Sequence, residues 1–443
     1  MNDKGSTGRA GVGIVGAGEF GQTFMAQVAR SPHFILRVVC DSSPEKALTA
    51  LHNAGHSADA HVRCDSRAAA LGAIEEGRIA VVDDHALIAG LPIQAVVEAT
   101  GAPSTAAAVA EGAIAAGYHV AMATKEAEVV VGPALARRAR AAGVVHTLVD
   151  GDQPSLLIGL VARARLLGLT VVAAGKSTEA DYVLDSSRGT VTAWGRTVAV
   201  DRYDWRLDDP STLERRRIAS LATKTVPDLC EMTIVANHTD LVPDRPELHG
   251  PVARTVELPS LFRPKAEGGL LEASGVVDVF TCLRRADEIS FAGGVFVVVE
   301  APDPVTGRVL ASKGIPVSDD GRYLLLHNPV HLLGVEALAS LYSAVHLGRS
   351  TGGKDVRQRF DLVARTTRAF EAGEQLTIGE RHEIPDLEPV IMPHRADEPA
   401  APIPYYLAAS GRIVRPLDAG RVLTFADVET DPTSSLYRLR RET

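Results

Sequence analysis

The sequence predicts an α/β protein built on a doubly wound parallel sheet, and three observations lead there. Near the start of the chain, Val12-Gly13-Ile14-Val15 runs straight into Gly16-Ala17-Gly18-Glu19-Phe20-Gly21, a short apolar strand ending in a glycine-rich turn. Further apolar runs follow at Phe34–Cys40, Ile79–Val82, Ala95–Thr100, Tyr118–Ala123 and Val144–Val149, separated by stretches with helical patterning. Strands that alternate with helices make parallel sheets, because a crossover helix returns the chain to the same end. The third observation is Asp41, which stands twenty residues past Gly21 and just after the second apolar run. Strand, glycine turn, helix and distant acid form a dinucleotide-binding fingerprint on a Rossmann-type sheet.

Each part of the fingerprint has a physical task. Gly16 permits the tight turn, Gly18 lets a pyrophosphate approach the backbone, and Gly21 allows close helix–sheet packing. Glu19 and Phe20 fill the turn, and a helix over Gln22–Ser31 offers free N–H groups and its positive end to an anion. Asp41 is placed to accept from a ribose 2′-OH and to repel a 2′-phosphate. That favours NAD(H) over NADP(H), with Arg63 as a cation able to offset it. Parallel sheets bind ligands beyond the carboxyl ends of their strands, which adds Thr100, Gly101 and Thr124 to the cofactor-binding candidates. The helices between these strands are expected at about 104–116 and from Pro133 to Ala142.

From residue 155 the pattern changes. A helix over Ser155–Leu167 leads to the apolar run Leu169–Lys176 and then to more polar, strand-like segments such as Val191–Val200. A helical stretch at 212–241 precedes strands at Gly275–Cys282, Gly294–Glu300 and Tyr323–His327, and a helix at His331–Leu347 closes the region. This reads as an α+β domain that supplies the substrate side of the enzyme. Ser350-Thr351-Gly352-Gly353-Lys354 has the composition of a linker, and the Pro- and Gly-rich remainder reads as a small, mostly β module. Three domains are therefore expected, at 1–153, 154–349 and 350–443, and a chain ending near Ser350 is expected to keep its dinucleotide binding.

Composition narrows the classes. The 443 residues are 46% apolar and 23% charged, with a net charge of −9, as expected of a globular protein and not of a nucleic-acid or anionic-membrane binder. The four cysteines, Cys40, Cys64, Cys230 and Cys282, lack C-x-x-C spacing, which argues against a disulfide framework or a zinc site. There is no apolar leader in segment 1–10 and no run of eighteen apolar residues, so the expected location is the cytoplasm.

Hydride chemistry needs an acid/base near the reacting carbon and a cation or donors for the developing alkoxide. Three lysines qualify by position. Lys125 follows a strand at the carboxyl edge, Lys176 ends an apolar strand, and Lys265 lies in the loop Pro264–Gly269 between a rigid entry and a flexible exit. Taken singly, each lysine is more often a solvated surface charge; the position after an apolar strand or inside a Pro/Gly loop brings Lys176 and Lys265 level with the functional reading. Asp152, in the acidic turn Asp150–Pro154, and Glu231, on a helix with Asn237 and His238, are candidate partners. That turn also reads as a plain helix cap, and Glu231 and His238 as ordinary helix-face residues. His327 and His331 are four apart but separated by Pro329, which argues against a two-histidine metal site. A divalent metal requirement stays open.

The runs Ala95–Thr100 and His119–Glu126 resemble the nucleotide domain of homoserine dehydrogenase, which implies that Lys125 lies beside the nicotinamide. A longer set resembles the deoxyxylulose-phosphate-reductoisomerase-like oxidoreductases, homoserine-dehydrogenase-related proteins with a C-terminal SAF module. It comprises Gly151–Pro154, Val172–Lys176, Asn237–Pro243, His249-Gly250-Pro251, Pro264–Gly269 and Gly294–Glu300. In the tail, Ala364-Arg365, Phe370–Leu376 and Arg415–Leu423 fit the SAF module. The resemblance implies NAD(P)-dependent redox chemistry, in characterised members coupled to isomerisation of a phosphorylated keto-sugar. Two departures matter. The segment after Lys176 lacks a lysine- and asparagine-rich continuation, and Asp41 is followed by Ser42-Ser43 with no arginine.

The expected activity is NAD(P)-dependent oxidation or reduction of a small, polar, hydroxylated or phosphorylated carbonyl compound, carried out by a homo-oligomer. Lys125, Lys176 and Lys265 would orient substrate and move protons, with Asp152 and Glu231 beside them. Two alternatives stay open. One is a lyase, cyclase or isomerase that keeps and recycles its NAD; the other is a nucleotide-sensing regulator.

Overall fold

The computed structural model describes residues 8–207, 209, 211–353 and 356–443, so Lys354 of the expected linker lies outside the described residues. The chain divides into two compact units, each assembled from separated segments, where three successive domains are expected. One comprises residues up to 155 with 332–357 and 430–443, and the other 156–331 with 358–429.

The first unit is the α/β sheet. Its strands are β1 (Ala10–Val15), β2 (Phe34–Cys40), β3 (His61–Arg63), β4 (Ile79–Val82), β5 (Ala95–Glu98), β6 (His119–Met122) and β7 (His146–Leu148). They are parallel throughout and ordered β3-β4-β2-β1-β5-β6-β7. Without the short edge strand β3 this is the doubly wound order, whose direction of winding reverses between β1 and β5. Helices α1 (Glu19–Val28), α2 (Pro44–Asn53), α3 (Arg67–Glu75), α4 (Pro103–Ala115) and α5 (Lys125–Ala141) make the crossovers. Val12, Ile14, Phe24, Val39, Val81 and Val97 form the core beneath α1.

The α5 helix starts earlier than expected. Pro133 reads as a helix start but sits inside α5, where its missing N–H removes one helical hydrogen bond. Lys125 is consequently the first residue of a helix, with Thr124 at its N-cap.

The remaining segments return to this sheet and fasten to it. A turn at Leu333–Val335 packs on α1, where a Cβ on Gly334 would stand 2.3 Å from the Phe20 carbonyl. The expected linker is tied down by hydroxyl groups. The backbone N–H of Thr351 donates to Thr147 Oγ1 at 2.9 Å, and the Thr351 hydroxyl lies 2.8 Å from that of Ser340. Ser340 Oγ in turn accepts from Asp150 N at 2.7 Å. The closing helix Ser435–Arg440 packs on α4 and α5, with Arg138 bridging Glu111 at 2.6 Å and Glu442 at 2.5 Å.

Helix α6 (Gln153–Leu166) leads into the second unit, a mixed sheet centred on β8 (Val171–Ser177), whose seven residues are all buried. Strand Val276–Arg285 runs parallel to β8 on one side and Val295–Glu300 antiparallel on the other. Gly175 permits that close pairing, since a Cβ there would meet the Asp278 carbonyl at 2.0 Å. The helical stretch expected at 212–241 is two helices, Thr212–Arg216 and Val226–His238, because Pro227 starts the second behind the Thr225–Asp228 capping box. The expected strand at Val191–Val200 is a hairpin, Thr190–Ala193 with Arg196–Ala199, turning at Trp194 and Gly195.

The tail's antiparallel pair, Phe360–Thr366 with Leu387–Pro393, packs on helix Val226–His238. Asn237 clamps it there. Its Oδ1 accepts from the backbone N–H groups of Arg359 and Phe360, both at 2.9 Å, and its Nδ2 donates to the Phe360 carbonyl at 3.0 Å.

Candidate functional site

In the first unit the glycine turn is shaped as its sequence requires. Gly16 has φ +105, and a Cβ there would lie 2.2 Å from the Ala99 carbonyl; a Cβ on Gly21 would lie 2.2 Å from the Gly16 carbonyl. Both glycines are demanded by the protein's own backbone. At Gly18, the N-cap of α1, the space where a Cβ would stand is empty within 4 Å. An opening at that position, beside the positive end of a helix, suits a pyrophosphate. Gly16, Gly18, Asp41 and Thr100 line a cavity of about 420 Å³ at the carboxyl ends of β1, β2, β4 and β5. Glu19, Phe20 and Gly21 form the first residues of α1. Asp41 turns toward the glycine loop, with Oδ2 accepting from Ala17 N at 2.8 Å and Oδ1 from Ser43 N at 3.0 Å.

The loops after β5 and β6 are held to each other. Gly101 N donates to Thr124 Oγ1 at 3.0 Å, and Lys125 Nζ lies 3.4 Å from Asp152 Oδ1. The structure thereby joins Lys125 to Asp152, both still partly open to solvent.

Glu98, at the end of β5, is a further functional candidate. It is fully buried, and its Oε1 accepts from both the N–H (2.7 Å) and the hydroxyl (2.6 Å) of Thr100. Burial pushes its carboxyl above the usual range, and the hydrogen bonds from Thr100 and Thr124 only partly oppose this. A carboxyl with a raised folded pKa stabilises the fold fully below its unfolded pKa and loses that contribution as pH rises through the folded value. Glu98→Gln keeps the oxygen to which Thr100 donates and removes the titration. Its melting temperature relative to wild type is therefore expected to climb as pH rises from acid to neutral, as thermal melts across that range will show. A constant difference would mean that Glu98 does not titrate there.

In the second unit, Lys176 is not a solvated charge. It is fully buried on β8, with Nζ 2.5 Å from Glu231 Oε2, 3.0 Å from Asp228 Oδ1 and 3.2 Å from Glu179 Oε1. Asp228 and Glu231 are buried as well, one turn apart on helix Val226–His238. Asp228 Oδ2 is fixed by the N–H (2.7 Å) and hydroxyl (2.8 Å) of Thr225, which leaves Oδ1 for the lysine. Burial raises the Asp228 pKa, Lys176 lowers it and Glu231 raises it again. One buried ammonium faces two buried carboxyls, so Asp228 holds a proton more firmly than an ordinary carboxylate. A lysine and a proton-holding carboxyl at hydrogen-bond distance are the components of general acid–base chemistry.

Lys265 is placed differently. Half-exposed at the turn Lys265–Glu267, it forms its ion pair with Glu272 and not with the carboxyls around Lys176. His249, from the run that carries the resemblance, is buried with Nε2 2.7 Å from Asp244 Oδ2. Among the described residues, no group of three or more His, Cys, Asp or Glu side chains is arranged to hold a metal ion. Likewise none of the described helices is long and apolar enough to cross a membrane.

Two functional candidates, Glu98 and Asp228, stood in view in the sequence. Glu98 closes an otherwise apolar strand, where an acid is costly without a purpose. Asp228 is the third residue after Thr225, the spacing of a capping box, and that local explanation hid its second contact.

Residues 151–337 match the family model described as "Oxidoreductase DRL, catalytic domain", so this stretch is similar to an oxidoreductase catalytic domain. A comparison with curated proteins finds no match. Among solved structures, an NAD-binding oxidoreductase from Klebsiella pneumoniae is similar at 18% identity, over 40% of this chain and 46% of that one, with a TM-score of 0.28. A probable dehydrogenase from Thermotoga maritima is similar at 13% identity, over 77% and 90% of the two chains, with a TM-score of 0.38. GenD2 from gentamicin A biosynthesis, solved in complex with NAD, is similar at 16% identity, over 79% and 90%, also at 0.38. The chain spans about half the length of the first structures it matches, 46%, 47% and 49% of theirs.

Proposed function

We propose that this protein is an NAD(P)-dependent oxidoreductase acting on a small, polar, hydroxylated or phosphorylated carbonyl compound, with NAD(H) as its cofactor. The observation that carries the reading is the glycine loop. Gly16 and Gly21 are demanded by backbone contacts, whereas Gly18 faces open space beside a cavity of about 420 Å³. A side chain at this N-cap would stand in the space that a pyrophosphate on the helix N-terminus needs, which glycine leaves open.

When bound, the nicotinamide supplies or accepts a hydride. Gly16, Gly18 and the first turn of α1 would hold the pyrophosphate, Asp41 the adenosine ribose, and Thr100, Gly101 and Thr124 the loops on the nicotinamide side. Lys125, paired with Asp152, lies on that same edge. Lys176 would donate to the substrate oxygen and take its proton back from Asp228 or Glu231. Lys265 would supply charge to a substrate phosphate or carboxylate. The resemblance to reductoisomerase-like proteins and the family-model match to residues 151–337 both support redox chemistry.

Gly18→Val tests the reading. A side chain there occupies the pyrophosphate's space but meets no protein atom, so NADH binding is expected to vanish while the melting temperature holds. Calorimetric titration with NADH and a thermal melt of the same preparation check both halves. Normal NADH affinity in the variant would refute the assignment. The near-ultraviolet absorbance of reduced nicotinamide then separates net redox turnover from an enzyme that recycles its cofactor.

A further inference from the structure

The cavity beside the glycine loop ends in three aspartates. Asp41 follows β2, while Asp83 and Asp84 follow β4, the neighbouring strand, and Asp41 N donates to the Val82 carbonyl at 3.2 Å. All three acids line the cavity, along with Ser42, Lys46 and His85. The cations nearby are already engaged. Lys46 Nζ lies 3.7 Å from Asp41, and Arg63 reaches Glu45 at 3.3 Å and Asp83 at 3.6 Å. Among the residues that line the cavity, three carboxylates (Asp41, Asp83, Asp84) thus stand against one permanent cation, Lys46, an excess of two negative charges. His85, 3.3 Å from Asp84, adds charge only when protonated.

We infer that Asp83 and Asp84, acting with Asp41, set the cofactor preference of this cavity by rejecting a 2′-phosphate. The inference rests on the dinucleotide reading and adds two residues to it. A 2′-phosphate carries roughly two negative charges, and like charges around one cavity sum to repel it. A free 2′-hydroxyl meets no such field and finds acceptors in the same carboxylates. The cavity wall itself registers the three acids. The Cys40 thiol is pushed up to about 12, by burial first and then by Asp41, Asp84 and Asp83. Asp41 alone is a weaker barrier, since Lys46 stands against it and both its oxygens accept backbone N–H groups.

The test compares dissociation constants for NADH and NADPH on the full chain by fluorescence titration. Wild type, Asp41→Asn, Asp83→Asn and the double variant Asp83→Asn with Asp84→Asn are measured at low and high salt. Asparagine keeps the shape at both positions and caps the turn after residue 84 as aspartate does. The expected result is a wild-type preference for NADH. Asp83→Asn narrows it several-fold and the double variant by roughly tenfold, the order expected for removing one or two charges from a phosphate's surroundings. Asp41→Asn alone leaves a remaining preference. High salt narrows the wild-type preference because exposed charges are screened, a measurement that needs no variant to fold. An unchanged ratio in the double variant or a preference insensitive to salt would each overturn the inference alone, whereas tighter wild-type binding of NADPH would overturn it together with the assignment of NAD(H). Wild type that binds neither nucleotide would overturn the dinucleotide reading with it.

Discussion

Lys176→Met is expected to destabilise the second unit by about 3–5 kcal/mol, the usual result of removing one partner from a buried ion pair. The methionine fills the lysine's volume, so little of the loss comes from packing. What remains is two buried carboxyls, Asp228 and Glu231, without their ammonium. The deficit should depend on pH. Protonation relieves a buried carboxylate, so the cost is absent below the unfolded pKa and grows as pH rises through the raised folded pKa. Adding Glu231→Gln to Lys176→Met should recover part of the loss. Thermal melts of the two variants in acid and in neutral buffer check this directly; equal melting temperatures for wild type and Lys176→Met would show the three groups to be uncoupled. If Lys176 also serves the substrate oxygen, the double variant folds but turns over roughly 10²–10⁴-fold more slowly.

A chain cut after Ser350 is expected to lose both units, against the expectation that the tail is separable. The cut removes Phe360–Thr366 and Leu387–Pro393 from helix Val226–His238, leaving Asn237 without the backbone it clamps. It also removes Thr351, whose hydroxyl and N–H fasten Ser340 and Thr147, and helix Ser435–Arg440 from α4 and α5. Insoluble product or a missing cooperative melt is the expected outcome. A soluble fragment that still binds NADH would show that the tail is a module after all.

The parts of the molecule legible in the sequence are those governed by short-range rules. Val12–Gly21 reads as strand and turn because the apolar run and the glycine spacing are contiguous in the chain, and the parallel sheet follows from apolar runs alternating with helices. Lys176 reads as the end of an apolar strand and Glu231 as part of a helix face; that the two touch depends on a packing no local pattern encodes. Pro133 points to a later start for α5 because a proline opens helices far more often than it sits inside them. Ser350–Gly353 reads as a linker on composition, yet its small hydroxyl side chains reach Thr147 and Ser340 because they are small. The division into units was hidden for a related reason, since the returning segments carry no signal of their destination.

That return has a consequence for how the protein is made. Ser435 bonds to Glu111 across 324 positions, and Arg138 to Glu442 across 304. The outer faces of α4 and α5 therefore stay uncovered on the ribosome until residues 435–442 have emerged. By then the whole of the other unit has already been synthesised. Contacts of such separation slow folding and expose apolar surface while they wait. The parallel sheet is made by residues 10–148, but its folding is completed only when residues 435–442 arrive, so even a small change near residue 440 is expected to act on the yield of the intact fold.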